Sequence, residues 1–480
     1  MKYIITVSGE IVLKSRRSRP RFFRKLLSNI DDALKRMNVK NYSAEISGAK
    51  IFLEVSQEID NILERIFGIY RYGKAAEFTF TDIKDLAEKI ANAAKDEVEG
   101  RTFAVRVNRV GNHPFTSMDV AREAGALLYP HSRGVNLTEP EVTVWVEVRW
   151  DKAFVYQSRK KGPGGLPIGI EGRGLALFSG GLDSPVAAWY AAKRGVEVHF
   201  LHFFMGSSYA TYLAVKVAQK LANDWLHGYE PKLYVADLTG LIKEITDKVS
   251  GSHRQIVLRS LMYIVSMKLA EKKGYDAIIT GEALGQASSQ TLQNLRAIHQ
   301  VVKPHIPLIR PLVGFDKEEV VELSRKIGMY EISSKVPEAC SISQGLVATR
   351  AKPKTLAEEL GKINTEVIEE IISSIRIYDL RTTNPAKVIE VSDIEIDFIP
   401  EDALIIDVRT SKQGDMPEGI IHISEVSLNE LPKNRPVLFV CNSGTISYLK
   451  AMEARKLGIQ AFSLRGGIRI LSNLLKNRTK

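Results

Sequence analysis

Cysteine is almost absent from this chain of 480 residues, which has Cys340 and Cys441 and no others. So few cysteines argue against a disulfide-built secreted fold and against a zinc site made of cysteines. Long apolar runs are missing too, since no stretch approaches the roughly 18 consecutive apolar residues of a membrane span. Gly9 and Glu10 interrupt the first apolar strand too early for a signal peptide. We therefore expect a cytoplasmic protein with no membrane partner.

Neither charged nor apolar residues dominate the composition. Charged residues make up 26% and hydrophobic residues 44% of the chain, as in ordinary soluble globular proteins. The formal net charge is +11 and the isoelectric point is about 9.3, which suits a polyanionic partner. Many enzymes that bind nucleotides are basic as well, so charge by itself does not identify that partner.

Internal repeats and low-complexity blocks are also missing, so the chain is divided by its pattern of apolar residues. Since one core rarely serves more than roughly 250–300 residues, several domains are expected. The predicted domains are residues 1–75, 76–165, 173–383 and 396–480.

The first two predicted domains mix strands and helices. The pattern predicts strands at 2–7 and 46–55 and a helix over 22–37 in the first domain. In the second, β-branched residues over 142–149 suit a central strand. The glycine- and proline-rich segment 160–167 is typical of a linker.

Strands and helices alternate through residues 173–383, beginning with a strand at 174–178 and a helix at 186–194. This alternation predicts a parallel, doubly wound α/β sheet. The last domain has predicted strands at 403–408 and 437–440 and is a smaller α/β unit. The fold class is therefore a multidomain combination of α/β and α+β domains.

The segment Ser179-Gly180-Gly181-Leu182-Asp183-Ser184 follows an apolar strand and opens a helix near Pro185. Glycines let the backbone turn tightly, so that consecutive N–H groups can point at one anion. The helix N-terminus adds partial positive charge. Ser179 and Ser184 supply hydroxyl donors, and Asp183 can hold Mg²⁺ or orient the loop.

The lysine of a Walker A motif is missing here, which argues against a GTPase-type or motor-type phosphate loop. A bare Gly-Gly turn capped by Ser and Asp would be a purely structural alternative. The whole SGGxDS pattern after the first strand of an α/β domain instead favours phosphate binding. It resembles the PP-loop ATP pyrophosphatases, which split ATP between its α and β phosphates and adenylate a carbonyl oxygen.

Two further segments are predicted to reach the same sheet edge. Residues 280–291 follow a strand there, and ligands of open α/β sheets gather at the carboxyl ends of the strands. His202 and Phe203 end the second strand, where a ring could cover adenine. A histidine at a strand end is more often simply packed or solvated, so neither segment decides the function by itself.

Taken together, four motifs resemble those of the tRNA 4-thiouridine synthetase family. They are LFSGGLDSP at 177–185, GEALGQ with QT at 281–291, RPL at 310–312, and PEACS, which contains Cys340, at 337–341. The resemblance covers nearly the whole chain. It implies an N-terminal ferredoxin-like domain, a THUMP domain, a PP-loop domain and a rhodanese-like domain.

The resemblance also implies a reaction at uridine 8 of tRNA. ATP adenylates the C4 oxygen, and a persulfide sulfur displaces AMP to give 4-thiouridine. Asp183 and Lys317 match two polar residues important for activity. The residues expected to bind ATP are Leu177, Phe178, Ser179, Gly180, Gly181, Asp183, Ser184, His202, Phe203, Arg259, Gly281 and Gln290.

Two sets of basic residues are candidates for holding the RNA. The first lies in an acid-free run around Phe22 and Phe23, and arginines there can fork onto phosphates, while the Phe pair is expected to pack its helix onto the sheet. A solvated basic face is the alternative. The candidates are Lys14, Arg16, Arg17 and Arg21, followed by Arg106, Arg109, Arg159 and Lys160.

Cys441 lies between a predicted strand and a predicted helix. Backbone N–H groups and the positive end of the helix there favour a thiolate, and the same setting could stabilise a persulfide. A cysteine buried as a small hydrophobe is the alternative. Segments 407–409, 417–423 and 464–468 also look rhodanese-like. Ile446 departs from the pattern, because many rhodanese loops carry Arg there, and this argues against thiosulfate as the donor.

By the same resemblance, Cys340 resolves the chemistry and forms a disulfide with Cys441 when sulfur is released. A cysteine desulfurase is the expected sulfur donor, and a homodimer is left open. Two other functions remain compatible with the sequence. One is a PP-loop synthetase with a small-molecule acceptor, and the other is a sulfur carrier for the thiazole of thiamine. A pure RNA-binding scaffold conflicts with the intact SGGxDS loop.

Overall fold

The computed structural model describes residues 1–156, 158–337, 342, 347–388, 393–409, 419–442 and 444–478. These residues form two compact units. The first consists of residues 1–170 with 193–195, and the second of residues 171–192 with 196–480. Throughout the described ranges, no helix combines the length and the apolar character needed to span a bilayer.

One mixed sheet organises the first unit. Its strands are β1 (Lys2–Val7), β2 (Ser43–Ser47), β3 (Lys50–Glu54), β4 (Ile69–Thr79), β5 (Thr102–Val110), β6 (Gly134–Val135), β7 (Val142–Arg149), β8 (Lys152–Tyr156) and β9 (Lys160–Lys161). Its helices are α1 (Gly9–Val12), α2 (Arg19–Arg36), α3 (Asp60–Leu63), α4 (Ile83–Val98) and α5 (Ser117–Leu128). The strand order is β2-β3-β1-β4-β8-β7-β5-β6, with β9 also paired to β4.

Strand β4 joins two halves of this sheet. Its first part pairs with β1, and its last part, from Ala76 to Thr79, pairs with β8. The strand therefore runs through the predicted domain boundary at 75/76. Strand β7 lies inside the sheet between β5 and β8, as its β-branched sequence predicts.

Helix α2 covers the β1 half of the sheet. Phe22, Phe23 and Leu26 on one face of the helix are buried in a core with Tyr3 and Ile5. This confirms the predicted packing role of the two phenylalanines, because the apolar residues recur at helical spacing. Of the basic candidates around these phenylalanines, Arg21 lies on the exposed face of α2, whereas Lys14, Arg16 and Arg17 precede the helix.

Two local predictions in this unit are wrong. The single strand expected at 46–55 is a hairpin, because Gly48, with φ of +63°, turns the chain between β2 and β3. The expected linker at 160–167 is packed: β9 pairs with β4, and Gly164 N–H donates to the Ile69 carbonyl at 2.8 Å. Close packing requires glycine at 162 and 165, where a Cβ would collide with the carbonyl oxygens of Ile69 and Lys193, and sequence composition does not distinguish such packing from flexibility.

The second unit begins with a six-stranded sheet. Its strands are β10 (Arg173–Leu177), β11 (Glu197–Phe204), β12 (Lys232–Asp237), β13 (Ala277–Ile279), β14 (Leu308–Ile309) and β15 (Arg376–Asp379). Its helices are α6 (Asp183–Lys193), α7 (Ser208–Trp225), α8 (Thr239–Lys248), α9 (Arg254–Lys273), α10 (Leu292–Val302), α11 (Lys317–Lys326), α12 (Tyr330–Ser333), α13 (Pro353–Leu360) and α14 (Thr365–Ser374).

The strand order is β14-β13-β10-β11-β12-β15, and every pair is parallel except the last. The antiparallel edge strand β15 corrects the expectation of a wholly parallel sheet. Strand β15 has only four residues, and so short a pattern of side chains does not indicate whether the strand runs parallel or antiparallel to its neighbour. The order places β10 centrally, with β11 and β13 on either side, so their carboxyl ends meet at one edge.

A second parallel sheet follows in the same unit. Its strands are β16 (Glu395–Ile396), β17 (Leu404–Asp407), β18 (Ile420–His422), β19 (Val437–Val440) and β20 (Ala461–Leu464), and its helices are α15 (Thr445–Lys456) and α16 (Gly467–Arg478). The order is β16-β20-β19-β17-β18, and the described pairs are parallel. This is the small α/β unit that the sequence predicts.

Candidate nucleotide site and cysteine loop

The loop after β10 passes directly over helix α7. Gly180 has φ of +81°, and a Cβ built on it would lie 2.5 Å from the Cα of Ala214. Both facts require glycine, since an L side chain rarely adopts this backbone conformation and would also collide with backbone. The first glycine of the motif thus fixes how closely the loop approaches α7.

Two serine hydroxyls hold the backbone of the loop. Gly180 N–H donates to Ser184 Oγ at 3.1 Å, and Gly181 N–H donates to Ser179 Oγ at 3.3 Å. The two hydroxyl oxygens are themselves 3.3 Å apart. These two N–H groups are thus bonded within the loop, which places the two serine hydroxyls at the N-terminus of α6, a setting suited to phosphate.

His202 supports the start of the loop from the next strand. Its Nδ1 lies 2.9 Å from the Phe178 carbonyl oxygen and its Nε2 lies 2.9 Å from Thr211 Oγ1. Burial lowers the pKa of His202 to about 4, so the ring is neutral at pH 7. Because a carbonyl only accepts, Nδ1 carries the proton. Phe178 and Phe203 are buried beside it, and Leu177 is half-buried.

The Asp183 carboxylate begins α6 and meets groups from two distant segments. Gln286 Nε2 donates to its Oδ2 at 3.0 Å, and Lys317 Nζ lies 3.8 Å from its Oδ1. Lys317 is placed by the N-terminus of α11, where Asp316 caps the helix by accepting from the Glu319 N–H at 2.8 Å. The fold therefore brings together Asp183 and Lys317, which the sequence proposed separately. Gln286 was missed, although it belongs to the GEALGQ motif.

Gly281 follows β13 and packs against the backbone at the start of α6. A Cβ on Gly281 would lie 3.0 Å from both the Asp183 carbonyl carbon and the Ser184 nitrogen. Backbone thus touches backbone where the two loops meet. Gln290 stabilises the same segment, since its Oε1 accepts from the Ala283 N–H at 3.2 Å.

Glu282 is a buried carboxylate held between two arginines. Arg259 donates from Nη1 to Oε1, and Arg310 donates from Nε to Oε2 at 2.6 Å. The Thr280 hydroxyl adds a bond of 3.2 Å. Burial works to raise the pKa of Glu282, but the two guanidinium groups outweigh it and the pKa is lowered. Glu282 and Arg310 were missed as site residues, although both lie in motifs visible in the sequence.

Cys441 follows β19 and is 1% exposed. The Gly444 N–H donates to its Sγ at 3.1 Å, and Ser447 Oγ lies 3.3 Å from the same sulfur. Gly444 has φ of +94° and is the residue before α15, so the sulfur lies beside a helix N-terminus. Donors at this position stabilise a thiolate or persulfide. Cys340, its predicted partner, lies outside the described residues.

The small sheet is attached to the larger one through Glu395 on β16. This buried carboxylate accepts from the Ser208 N–H at 2.7 Å and from Ser207 Oγ at 3.3 Å. Both donors belong to the N-terminus of α7, where a negative charge is favourable. Gly206, just before them, leaves room for the Tyr448 ring, which a Cβ would meet at 3.0 Å.

The proposed RNA-binding residues differ in their surroundings. Arg16 and Arg17 are exposed. The other six have protein partners. Lys14 lies over the Phe22 ring, Arg21 donates to the Ile170 carbonyl, Arg106 to the Leu137 carbonyl and Arg109 to the Gly111 carbonyl, Arg159 lies over the Trp145 ring, and Lys160 pairs with Asp60.

Family models match three parts of the chain. The ThiI ferredoxin-like domain matches residues 3–73, the THUMP domain matches residues 77–157, and "Thiamine biosynthesis protein (ThiI)" matches residues 169–365. These ranges take in most of the first unit and strands β10 to β14 of the sheet that carries the SGGxDS loop, while the edge strand β15 lies beyond them.

Curated relatives extend the likeness over the whole length. The tRNA sulfurtransferase of Desulfurococcus amylolyticus is 47% identical over 479 residues, which is 99% of each chain. The chain belongs to the tRNA sulfurtransferase family. The member from Pyrobaculum aerophilum is 34% identical over 97% of each chain.

Solved structures agree with this tRNA sulfurtransferase assignment. A 4-thiouridine synthetase in complex with RNA and with bound ATP is 31% identical, with a TM-score of 0.69 over 78% of this chain and 98% of that chain. The PH1313 protein of Pyrococcus horikoshii, 21% identical with a TM-score of 0.52, shares the fold. The expected ferredoxin-like, THUMP and PP-loop folds are thereby confirmed. The roles of the individual site residues remain predictions.

The substitution Gly281→Ala tests the contact between the loop after β13 and the loop after β10. Because overpacking against backbone costs roughly 1–3 kcal/mol, we expect Gly281→Ala to weaken ATP binding about tenfold. Isothermal titration with ATP measures the effect. Gly240→Ala is the matched control, since a Cβ on this α8 residue meets no atom within 4 Å. Equal ATP affinity in both variants would show that the loops are not held by this contact.

Removing the charge of Glu282 should destabilise the ATP-pyrophosphatase fold. Breaking a buried ion pair by removing one partner costs about 3–5 kcal/mol, so Glu282→Gln should lower the free energy of unfolding by that amount at pH 7. Denaturation by urea measures it, with the exposed Glu331→Gln as control.

The contribution of the Glu282 carboxylate to the free energy of unfolding should decrease as the pH is lowered. The pKa of Glu282 is lowered in the fold from its ordinary 4.5, so its contribution is present above pH 4.5. This stabilising contribution is lost as the pH falls through the pKa that Glu282 has in the folded protein. The stability gap between wild type and Glu282→Gln should therefore narrow in acid. A gap that stays constant to about pH 3 would contradict the ion-pair account.

Substitution of Arg16 and Arg17, two exposed candidates, tests the proposed RNA-binding surface. If each contacts one phosphate, the double substitution Arg16→Ser with Arg17→Ser should weaken tRNA binding and reduce the slope of log affinity against log salt by roughly 1.5. Filter binding over a salt series measures both. Lys272→Ser with Lys326→Ser removes two exposed charges from the second unit and serves as control. An unchanged slope in the arginine variant would exclude both residues from the phosphate contacts.

Proposed function

We propose that this chain catalyses ATP-dependent sulfur transfer to tRNA, giving 4-thiouridine at uridine 8. The likeness to a 4-thiouridine synthetase solved with RNA and ATP, together with the SGGxDS loop at the meeting point of β10, β11 and β13, carries this proposal. The reaction belongs in the cytoplasm, where tRNA is available.

In the adenylation step, the loop 179–184 binds the phosphates of ATP and the uridine C4 oxygen attacks the α-phosphorus, releasing pyrophosphate. Arg259, oriented by Glu282, and Lys317 offer positive charge near the loop. The Asp183 carboxylate fits Mg²⁺, which commonly binds one carboxylate together with substrate phosphates. Bound there, the ion would neutralise charge on the departing pyrophosphate.

We assign four domains by function. Residues 1–75 and 76–165 hold the RNA through the basic residues around α2, β5 and β9, mainly by phosphate contacts and shape. Residues 173–383 carry out adenylation. Residues 396–480 form a rhodanese-like domain, an assignment supported by the parallel sheet and by the helix N-terminus beside Cys441.

Cys441 is proposed to carry the sulfur as a persulfide, received from a cysteine desulfurase. The terminal sulfur attacks C4 of the adenylated uridine and AMP leaves, so that the base is joined to Cys441 through a disulfide. A Cys340 thiolate then attacks Cys441, releasing 4-thiouridine and leaving a Cys340–Cys441 disulfide. A dithiol reductant restores both thiols. A homodimer would be compatible with this scheme and is not required by it.

Nucleoside mass spectrometry of tRNA tests the proposal. Wild-type protein with ATP, tRNA and a desulfurase should form 4-thiouridine. Asp183→Ala should form almost none with any donor, because adenylation fails. Cys441→Ser should bind ATP normally and lose desulfurase-dependent thiolation. Full desulfurase-dependent activity in Cys441→Ser would refute the relay, and activity only with free sulfide would show a bypass of the C-terminal domain.

A second role is favoured by the description of the family model, a thiamine biosynthesis protein. In that role Cys441 would pass sulfur to the thiazole of thiamine, and adenylation of tRNA would be unnecessary. Growth without thiamine separates the two roles. A strain with Asp183→Ala should grow if sulfur carriage suffices, whereas a strain with Cys441→Ser should not.

A further inference from the structure

The loop between β19 and α15, which carries Cys441, packs against the N-terminus of helix α7. A Cβ built on Gly444 would lie 3.3 Å from Ser207 Cβ and 3.8 Å from Glu395 Oε1. Ser207 is the residue that caps α7. Gly444 is also the residue whose N–H donates to the Cys441 sulfur at 3.1 Å. One glycine of the cysteine loop therefore lies beside both the sulfur and the capping residue of α7.

Helix α15, which follows this loop, is docked on the larger sheet by apolar contacts. Leu449 is buried in the core formed by that sheet and its helices, and Ile446 packs against the same core. The Tyr448 ring lies edge-on to the Phe204 ring, with 6.2 Å between the ring centres. These contacts give a physical reason for isoleucine at position 446, where many rhodanese loops carry an arginine, because a charge there would be packed against an apolar core.

The Glu395 carboxylate joins the two sheets where the cysteine loop meets α7. Glu395 is 2% exposed, its Oε2 accepts from the Ser208 N–H at 2.7 Å, and its Oε1 accepts from Ser207 Oγ at 3.3 Å. Ser208 is the first residue of α7, so the negative charge lies at the positive end of this helix. Apolar contacts have no preferred direction, whereas hydrogen bonds do. The bonds to Glu395 therefore fix the orientation in which the cysteine loop approaches α7.

Helix α7 also supports the phosphate loop. A Cβ on Gly180 would lie 2.5 Å from the Cα of Ala214 on this helix. Ser208 and Ala214 are separated by roughly 9 Å along the helix axis, since each residue of a helix adds roughly 1.5 Å. The cysteine loop and the SGGxDS loop thus contact α7 within two turns of each other. Sulfur has to reach a base that is adenylated at the SGGxDS loop, so this docked position suits sulfur delivery.

We propose that Glu395 is a positioning residue for sulfur transfer. By bonding the N-terminus of α7, it holds the cysteine loop in the place from which the Cys441 persulfide meets the adenylated uridine. The inference rests on the proposed thiolation of tRNA. Glu395 takes part in no chemical step and acts through the orientation of the loop. It is therefore needed when sulfur comes from Cys441, and it is not needed when free sulfide attacks the adenylated base directly.

Single-turnover transfer from a preloaded persulfide tests this role. The full chain is loaded at Cys441 by a desulfurase and mixed with ATP and tRNA, and 4-thiouridine is measured over time. We expect Glu395→Ala to lower the transfer rate about tenfold, because it removes a hydrogen bond to a charged group and the position that this bond fixes. Glu395→Gln keeps an acceptor without the charge, so its rate should lie between those of Glu395→Ala and wild type. Both variants should thiolate tRNA with free sulfide at the wild-type rate.

Ser208→Pro removes the same bond from the other side of the contact. Proline is well accepted at the first position of a helix, so this substitution deletes the N–H donor and leaves α7 intact. It should slow persulfide transfer as Glu395→Ala does. The double variant should be no slower than either single variant, because both substitutions remove one bond. Thermal unfolding and ATP titration check that each variant is folded and binds nucleotide.

Asp393→Ala is the matched control, since it removes an exposed carboxylate just before β16, and it should transfer sulfur like wild type. Equal rates of persulfide transfer in wild type and Glu395→Ala would overturn the proposal. An equal loss of the sulfide-driven reaction in Glu395→Ala would overturn it too, because that result indicates general damage to the fold. A wild type that forms no 4-thiouridine with either donor would instead refute the proposed function itself.

Discussion

The contact between Gly281 and the start of α6 is the constraint on which the nucleotide site depends. It joins the loop after β13 to the loop after β10, backbone against backbone, with no space for a side chain. Because of this contact the GEALGQ segment lies over the phosphate loop. Gln286 can then reach Asp183, and Glu282 points its carboxylate to the arginines behind it.

Glu282 performs a different task from the residues expected to touch ATP. One carboxylate binds two guanidinium groups, so this cluster of three side chains carries a net positive charge. The bonds to Glu282 also fix the orientation of both guanidinium groups. A buried pair of this kind contributes little net stability compared with apolar packing. The pair instead orients the Arg259 side chain, and Arg259 is one of the residues that the sequence analysis expects to bind ATP.

Helix α7 connects the phosphate loop with the small sheet. Its Thr211 bonds His202, which bonds the Phe178 carbonyl, and its Ala214 touches Gly180. Its N-terminus is bonded by Glu395 from β16. A change in how the small sheet docks would therefore act on the helix that supports the nucleotide loop, and this is a physical route by which the proposed sulfur delivery from Cys441 could be coordinated with adenylation.

The sequence by itself determined the alternating strands and helices, the SGGxDS loop and the position of Cys441 before a helix, because each depends on residues close together in the chain. The direction of β15 and the close packing of Gly162 and Gly165 were decided by partners far away in sequence, whereas the hairpin at Gly48 is local and was missed because one glycine in an apolar run does not by itself indicate a turn. Distant partners decided the site as well. Asp183 was visible in its motif, whereas its contacts with Gln286 and Lys317 and the Glu282 ion pairs exist only because tertiary packing brings distant segments close together.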